Sequence, residues 1–184
     1  MHMIIGLTGP NASGKGEAAL YIKSKGFIYY SLSNILREES IKLGIEPLRK
    51  NLIKLGNELR RKRGRSFLAL CAMKEIKKNK NYVIDSIRNP AEVQAFRRMS
   101  NFILIGINAP VEMRFKRSLE RKRKGDAETL EEFIKKEKEE NRNSSENQQL
   151  KKCLRMADVI VANDSTIEEF RRKIDEAIKK NKKT

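Results

Sequence analysis

Apolar positions in this chain gather into five short runs, Met3–Thr8, Phe27–Ser31, Tyr82–Asp85, Asn101–Asn108 and Ala157–Ala162, separated by longer segments of mixed polarity. The first run, Met3–Thr8, is apolar at successive rather than alternate positions, the pattern of a buried parallel strand. The intervening segments read as helices. One spans about Lys15–Lys25, and a second runs through NILREESIKLG with Ser33 or Asn34 as its cap. Pro47 opens a long helical region to about Lys78, interrupted near Gly64, and Asn89-Pro90 starts AEVQAFRRM. A very basic helix follows Pro110, and a last helix begins TIEEF after Asp164-Ser165. Strands alternating with helices predict a parallel sheet covered on both faces. No internal repeat is visible. The stretch Lys122–Gln149 is almost wholly polar, with only Ala127, Leu130, Phe133 and Ile134 to bury, and reads either as a mobile helical flap or as a solvated surface helix.

With 184 residues there is room for one complete α/β domain, taken as residues 1–184, and not for two. The formal net charge of +17 creates a field that attracts polyanions: nucleic acid, acidic membrane or polyphosphate nucleotides. The basic residues are spread through helical stretches such as Arg121–Lys124 and Lys179–Lys183 rather than gathered in one tail, which disfavours nucleic acid without removing it. A Lys/Glu-rich surface equally suits ion-pair networks. Cys71 and Cys153 stand far apart and the chain has one His, so neither a zinc site nor a disulfide framework is indicated. There is no secretory pattern at the start and no run near the ~20 apolar residues of a membrane span, so a cytoplasmic protein without a membrane partner is expected.

The chemistry is signalled by Gly9-Pro10-Asn11-Ala12-Ser13-Gly14-Lys15, a GxxxxGK loop between an apolar strand and an amphipathic helix. Glycines let the main chain curl so that successive N–H groups point inward at phosphate, and the helix start adds its positive dipole end. Lys15 supplies the charge that follows the β and γ phosphates. A chain of this composition holds at most about 0.1 such matches by chance. Gly16 follows where many such loops carry a Ser or Thr for magnesium, so the ion must rely on water and another carboxylate.

The Gly-Lys-Gly ending resembles adenylate kinases, although Glu17 stands where those have Thr. From residue 3 to about 178 the chain resembles the P-loop nucleoside monophosphate kinase group, in particular its adenylate kinase-related and dephospho-coenzyme A kinase-like branch. It is also similar to the kinase-like domain of some deoxycytidylate deaminases. The resemblance implies a P-loop NTPase three-layer sandwich with a five-stranded parallel sheet in order 2-3-1-4-5. It further implies an acceptor-binding helical arm at about 32–80, a lid at about 117–149, and ATP with Mg2+ as cofactors, gripped by Gly9–Glu17.

VIDSIRNP resembles the family's DG-x-R segment with Ser86 in place of Gly, which implies that Asp85 holds Mg2+ through water or accepts a proton; a turn or capping Asp is the plainer alternative. Arg88 would then reach an acceptor phosphate. Ser33 and Arg37 in SNILREE resemble the acceptor-binding TGDxLR segment, and two guanidinium groups offer forked grips on phosphate. Arg117 and Arg121, four apart and so on one helix face, match the family's RxxxR pair at the triphosphate; Arg123 and Arg142 are weaker candidates. Asn163 and Asp164 fall where relatives place a loop near the adenine ring, and a turn-and-cap role for them is the simpler expectation. The implied function is transfer of the ATP γ-phosphoryl group to a small acceptor, a nucleoside monophosphate first and dephospho-coenzyme A second. An ATP-binding regulatory module with little turnover, and a nucleic-acid-binding protein or polynucleotide kinase, stay open.

Overall fold

A computed structural model describes residues 2–141, 145 and 147–181. Five strands, β1 (Ile4–Thr8), β2 (Ile28–Ser31), β3 (Tyr82–Asp85), β4 (Phe102–Asn108) and β5 (Val159–Ala162), pair in parallel in the order β2-β3-β1-β4-β5. Every residue of β1 and β3 is buried, as their unbroken apolar runs require. Ile5 lies beside Val83 on one side and Ile103 on the other, which fixes β1 at the centre.

The helices are α1 (Lys15–Ser24), α2 (Leu32–Lys42), α3 (Arg49–Arg63), α4 (Phe67–Glu75), α5 (Pro90–Phe96), α6 (Val111–Glu120), α7 (Leu130–Glu140), α8 (Leu150–Arg155) and α9 (Ile167–Asn181). Side chains alternate across the sheet. Ile5 and Leu7 therefore join a core with Ala18 and Ile22 of α1 and Phe170 and Ile174 of α9. Ile4 points the other way, into a core with Leu36, Leu68, Phe96 and Cys153. At Gly6 an added Cβ would stand 2.6 Å from the Phe102 ring, so the helix-facing packing there needs a glycine.

Local chemistry moves several boundaries. Helix α2 starts directly after β2, with Ser31 rather than Ser33 or Asn34 at its N-cap and without a side-chain cap bond. Gly64 ends α3 at φ +95°, splitting the long helical region expected after Pro47 into α3 and α4. Helix α5 carries a full capping box, Asn89 with Glu92, behind Pro90. The short α8 had no periodic signal of its own. In the polar stretch, Phe133 of α7 is buried against Phe115 of α6, with ring centroids 5.8 Å apart, and Arg114 forks onto Glu137. Among the described residues no helix is long and apolar enough to cross a membrane.

Candidate functional site

The loop between β1 and α1 opens at the carboxyl edge of the central strand, where parallel α/β sheets leave a crevice for ligands. Gly9 (φ +145°) presses against β4: a Cβ there would meet the Ile107 carbonyl oxygen at 2.0 Å. Ala12 (φ 56°) and Gly14 (φ 102°) are left-handed, so the intervening main chain curls and helix α1 starts with Gly14 as N-cap. Such a curl at a helix start gathers N–H groups into an anion-binding nest. Asn163, just past β5, donates from Nδ2 to the Ser13 carbonyl at 2.9 Å and braces the curl from behind. A Cβ on Gly14 would lie 2.1 Å from that same Nδ2.

Lys15 folds back over the loop and donates to the carbonyls of Gly9 (2.9 Å) and Pro10 (2.7 Å). Burial pulls its pKa down to about 7; Asp85 opposes the shift, and Arg88, Arg49 and Arg114 add to it. A bound polyanion would act in the same direction as Asp85 and raise that pKa again.

The loop floors a cavity of about 380 Å3. Among the described residues seven cationic side chains stand around it, Lys15, Arg37, Arg49, Arg88, Arg117, Arg121 and Arg123, against one carboxylate, Asp85. Asp85 ends β3 opposite Ser31 and accepts the Ser86 N–H at 2.6 Å. Ser86, at φ 68°, holds the left-handed conformation that a glycine would adopt without strain. Tyr29 lines the same cavity, its phenol pushed up by burial and by Asp85.

A second cavity of about 270 Å3 adjoins the first and shares Ser33, Arg37, Arg49, Arg88, Arg121 and Arg123 with it. Its remaining wall is largely aliphatic, from Leu36, Leu48, Leu52 and Ile53. Arg88 stands between the two spaces. Its Nη1 donates to Gln148 at 3.3 Å, its Nε is buried without a partner among the described residues, and burial lowers its pKa to about 10. Arg117 donates to the carbonyl and the side-chain oxygen of Asn163 (3.1 and 3.3 Å), and among the described residues its buried Nη1 has no partner. Arg121 forks onto Asp126 (2.9 and 3.1 Å) and also donates to Asn11 Oδ1 at 3.1 Å.

The sequence candidates thus converge, with exceptions. Asn11, Ala12, Ser13, Gly14, Lys15, Gly16, Ser33, Arg37, Asp85, Arg88, Arg117, Arg121 and Arg123 all line the first cavity. Gly9 and Pro10 instead serve through the carbonyls that hold Lys15, and Glu17 turns away to pair with Arg171 of α9 at 2.7 Å. Arg142 lies outside the described residues. Asn163 and Asp164 do not cap the last helix: Thr166 Oγ1 accepts the Glu169 N–H, and Asp164 pairs with Lys173. Arg49, Arg114 and Tyr29 escaped sequence reasoning. Arg49 and Arg114 are two basic residues among 41, and their partners Glu140 and Glu137 are distant in sequence, so no local spacing marked them.

Residues 8–135 match the family described as "AAA domain". The UPF0200 protein of Sulfurisphaera tokodaii is 34% identical over 177 residues, which cover 96% of either chain. Among solved structures, TT1252 from Thermus thermophilus superposes with a TM-score of 0.65 at 20% identity, covering all of this chain and 98% of that one. A shikimate kinase from Acinetobacter baumannii, solved in complex with shikimate, gives 0.63 at 14% identity over 100% and 97% of the two chains. At such identities the structures speak for the fold, a P-loop α/β sandwich of kinase-like type. The sequence relatives place the chain: it belongs to the UPF0200 family, and its sheet order and loop give it a P-loop α/β fold of kinase-like type.

Proposed function

We propose that the protein is an ATP-dependent phosphotransferase that passes the γ-phosphoryl group to a small anionic acceptor, a nucleoside monophosphate before any other. One observation carries this reading: the cavity over the phosphate loop and the cavity beside the arm helices α2 and α3 share a wall of arginines, with Asp85 on the loop side. Two anion sites that meet along one cationic wall suit transfer between two phosphorylated molecules better than hydrolysis or simple storage of one.

In this scheme the nest and Lys15 hold the donor's β and γ phosphates. Arg117 and Arg121 neutralise charge that spreads over the γ oxygens as the bond to the β–γ bridging oxygen breaks. Arg37 and Arg88 hold the acceptor anion while its oxygen forms the new bond to phosphorus; its body lies among Leu36, Leu48, Leu52 and Ile53. Among the described residues no cluster of three or more His, Cys, Asp or Glu side chains could hold a metal alone. Magnesium brought in on the nucleotide fits nonetheless, because Asp85 faces the cavity and the space over Gly16 is open, with nothing within 4 Å of an added Cβ. When bound it would neutralise phosphate charge, with Asp85 holding one of its waters. Helices α6 and α7 then act as the lid, and α2 to α4 as the acceptor arm.

The test is ADP release from ATP and Mg2+ in the presence of AMP, CMP, dCMP, UMP, GMP, dephospho-coenzyme A or shikimate, each alone. Release that needs one of these acceptors and yields its phosphorylated product supports the proposal. ATP binding with no transfer to any of them would instead identify a nucleotide-binding regulatory module.

A further inference from the structure

Arg49, the first residue of α3, lies at the seam of the two cavities and lines both. Its Nε and Nη2 fork onto Glu140, the last residue of α7, at 2.9 and 2.6 Å, and Nη1 donates to Asn11 Oδ1 of the phosphate loop at 3.0 Å. One guanidinium therefore ties the arm, helix α7 and the loop together. Its side chain is 25% exposed and that of Glu140 9%, so the pair is sheltered yet reachable from the cavities.

A guanidinium offers five N–H donors. The contacts to Glu140 and Asn11 use three, which leaves two for a ligand. The Asn11 carboxamide oxygen takes a second guanidinium as well, from Arg121 at 3.1 Å. A neutral oxygen between two cations marks a place where a charged phosphate oxygen would be held more strongly still.

We propose that Arg49 is a further catalytic residue, which grips the outermost phosphoryl group of the donor as it crosses toward the acceptor, with Glu140 as the residue that positions it. This rests on the phosphotransferase reading above. The transfer forms a bond from an acceptor oxygen to the γ phosphorus and breaks the bond from that phosphorus to the β–γ bridging oxygen, which leaves on ADP. Arg49 makes no covalent bond and takes no proton; it offsets charge on the γ oxygens. A diphosphate ends at the loop and Lys15, so it should gain little from Arg49, whereas a triphosphate should gain much.

The experiment compares Mg2+-bound ADP with the non-hydrolysable β,γ-imido analogue of ATP by calorimetric titration of the full chain, so no acceptor need be known. Loss of a hydrogen bond to a charged group predicts that Arg49→Ala weakens the triphosphate analogue about tenfold or more and ADP by less than about twofold. Arg49→Lys should stay close to Arg49→Ala, because an ammonium cannot fork onto Glu140 and meet a phosphate with its remaining edge. Glu140→Gln should give a smaller loss confined to the triphosphate; an unchanged affinity there would remove Glu140 from the scheme. Equal weakening of both nucleotides in Arg49→Ala, or none, overturns the role of Arg49 while the phosphotransferase reading stands. A wild-type chain that binds neither nucleotide overturns that reading, and this inference with it.

Discussion

A buried contact that lies outside both cavities holds the main chain at Arg88, and removing it should be costly. Arg60 of α3 and Glu92 of α5 form an ion pair whose side chains are 1% and 0% exposed. Arg60 Nε and Nη2 donate to Glu92 Oε1 at 2.9 and 2.8 Å, while Oε2 accepts the main-chain N–H groups of Arg88 and Asn89 at 2.9 and 3.0 Å. Glu92→Ala would leave a buried guanidinium uncompensated, a loss of about 3–5 kcal/mol. In a domain of this size each kcal/mol moves Tm by about 2–4 °C, so Tm should fall by about 6–20 °C. Arg60→Met should cost less, because the carboxylate it leaves behind keeps two N–H donors. The double variant should be more stable than the two single losses added together, since no lone charge then remains. Calorimetric melting of the three variants measures all of this. A Glu92→Ala protein that melts within about 2 °C of wild type, which is under about 1 kcal/mol, would refute the reasoning, as would a strictly additive double variant.

Gly14→Ala should abolish nucleotide binding in a titration, because its Cβ would collide with Asn163 Nδ2 at 2.1 Å on a backbone at φ +102°. Gly16→Ser meets open space, so it should fold normally and, with a hydroxyl where many such loops carry a magnesium ligand, make nucleotide binding more strongly magnesium-dependent. Ser86→Gly should raise stability toward denaturant by about 1 kcal/mol by relieving the left-handed strain at φ 68°. Lys15, held near pKa 7 in the free protein against 10.5 in an unfolded chain, should take up a proton when a polyphosphate arrives. Titrations at pH 8 in buffers of different ionisation enthalpy should show that uptake, and it should fade at pH 6, where the amine is already charged. Between those two pKa values the folded state binds fewer protons than the unfolded state, so stability of the free protein should rise with pH across that window, and Lys15→Met should remove that contribution.

The sheet was legible because burial on both faces leaves no room for polar positions: β1 and β3 read as apolar runs and are buried throughout. The strand order followed from the family resemblance and agrees with β2-β3-β1-β4-β5. The phosphate loop was legible because its chemistry is local, with glycines and a lysine at fixed offsets. The bracing of that loop was not, because Asn163 and Ser13 stand 150 positions apart and an Asn after a strand reads first as a turn residue. Arg49 and Arg114 were hidden for the opposite reason: in so basic a chain one more arginine carries no signal until its acidic partner is seen. Helix α7 shows how a nearly all-polar stretch can still dock, through a single buried ring, Phe133, and the fork from Arg114 to Glu137.

The most direct measurement is a titration of the purified chain with ATP and Mg2+, beside Lys15→Ala. Saturable binding of one nucleotide per chain, weakened at least about tenfold when the charged lysine is lost although circular dichroism is unchanged, is the expected result. A wild-type protein that takes up neither ATP nor GTP with magnesium present, or a Lys15→Ala protein that binds as well as wild type, would contradict the view that this curled loop exists to grip a chain of phosphates.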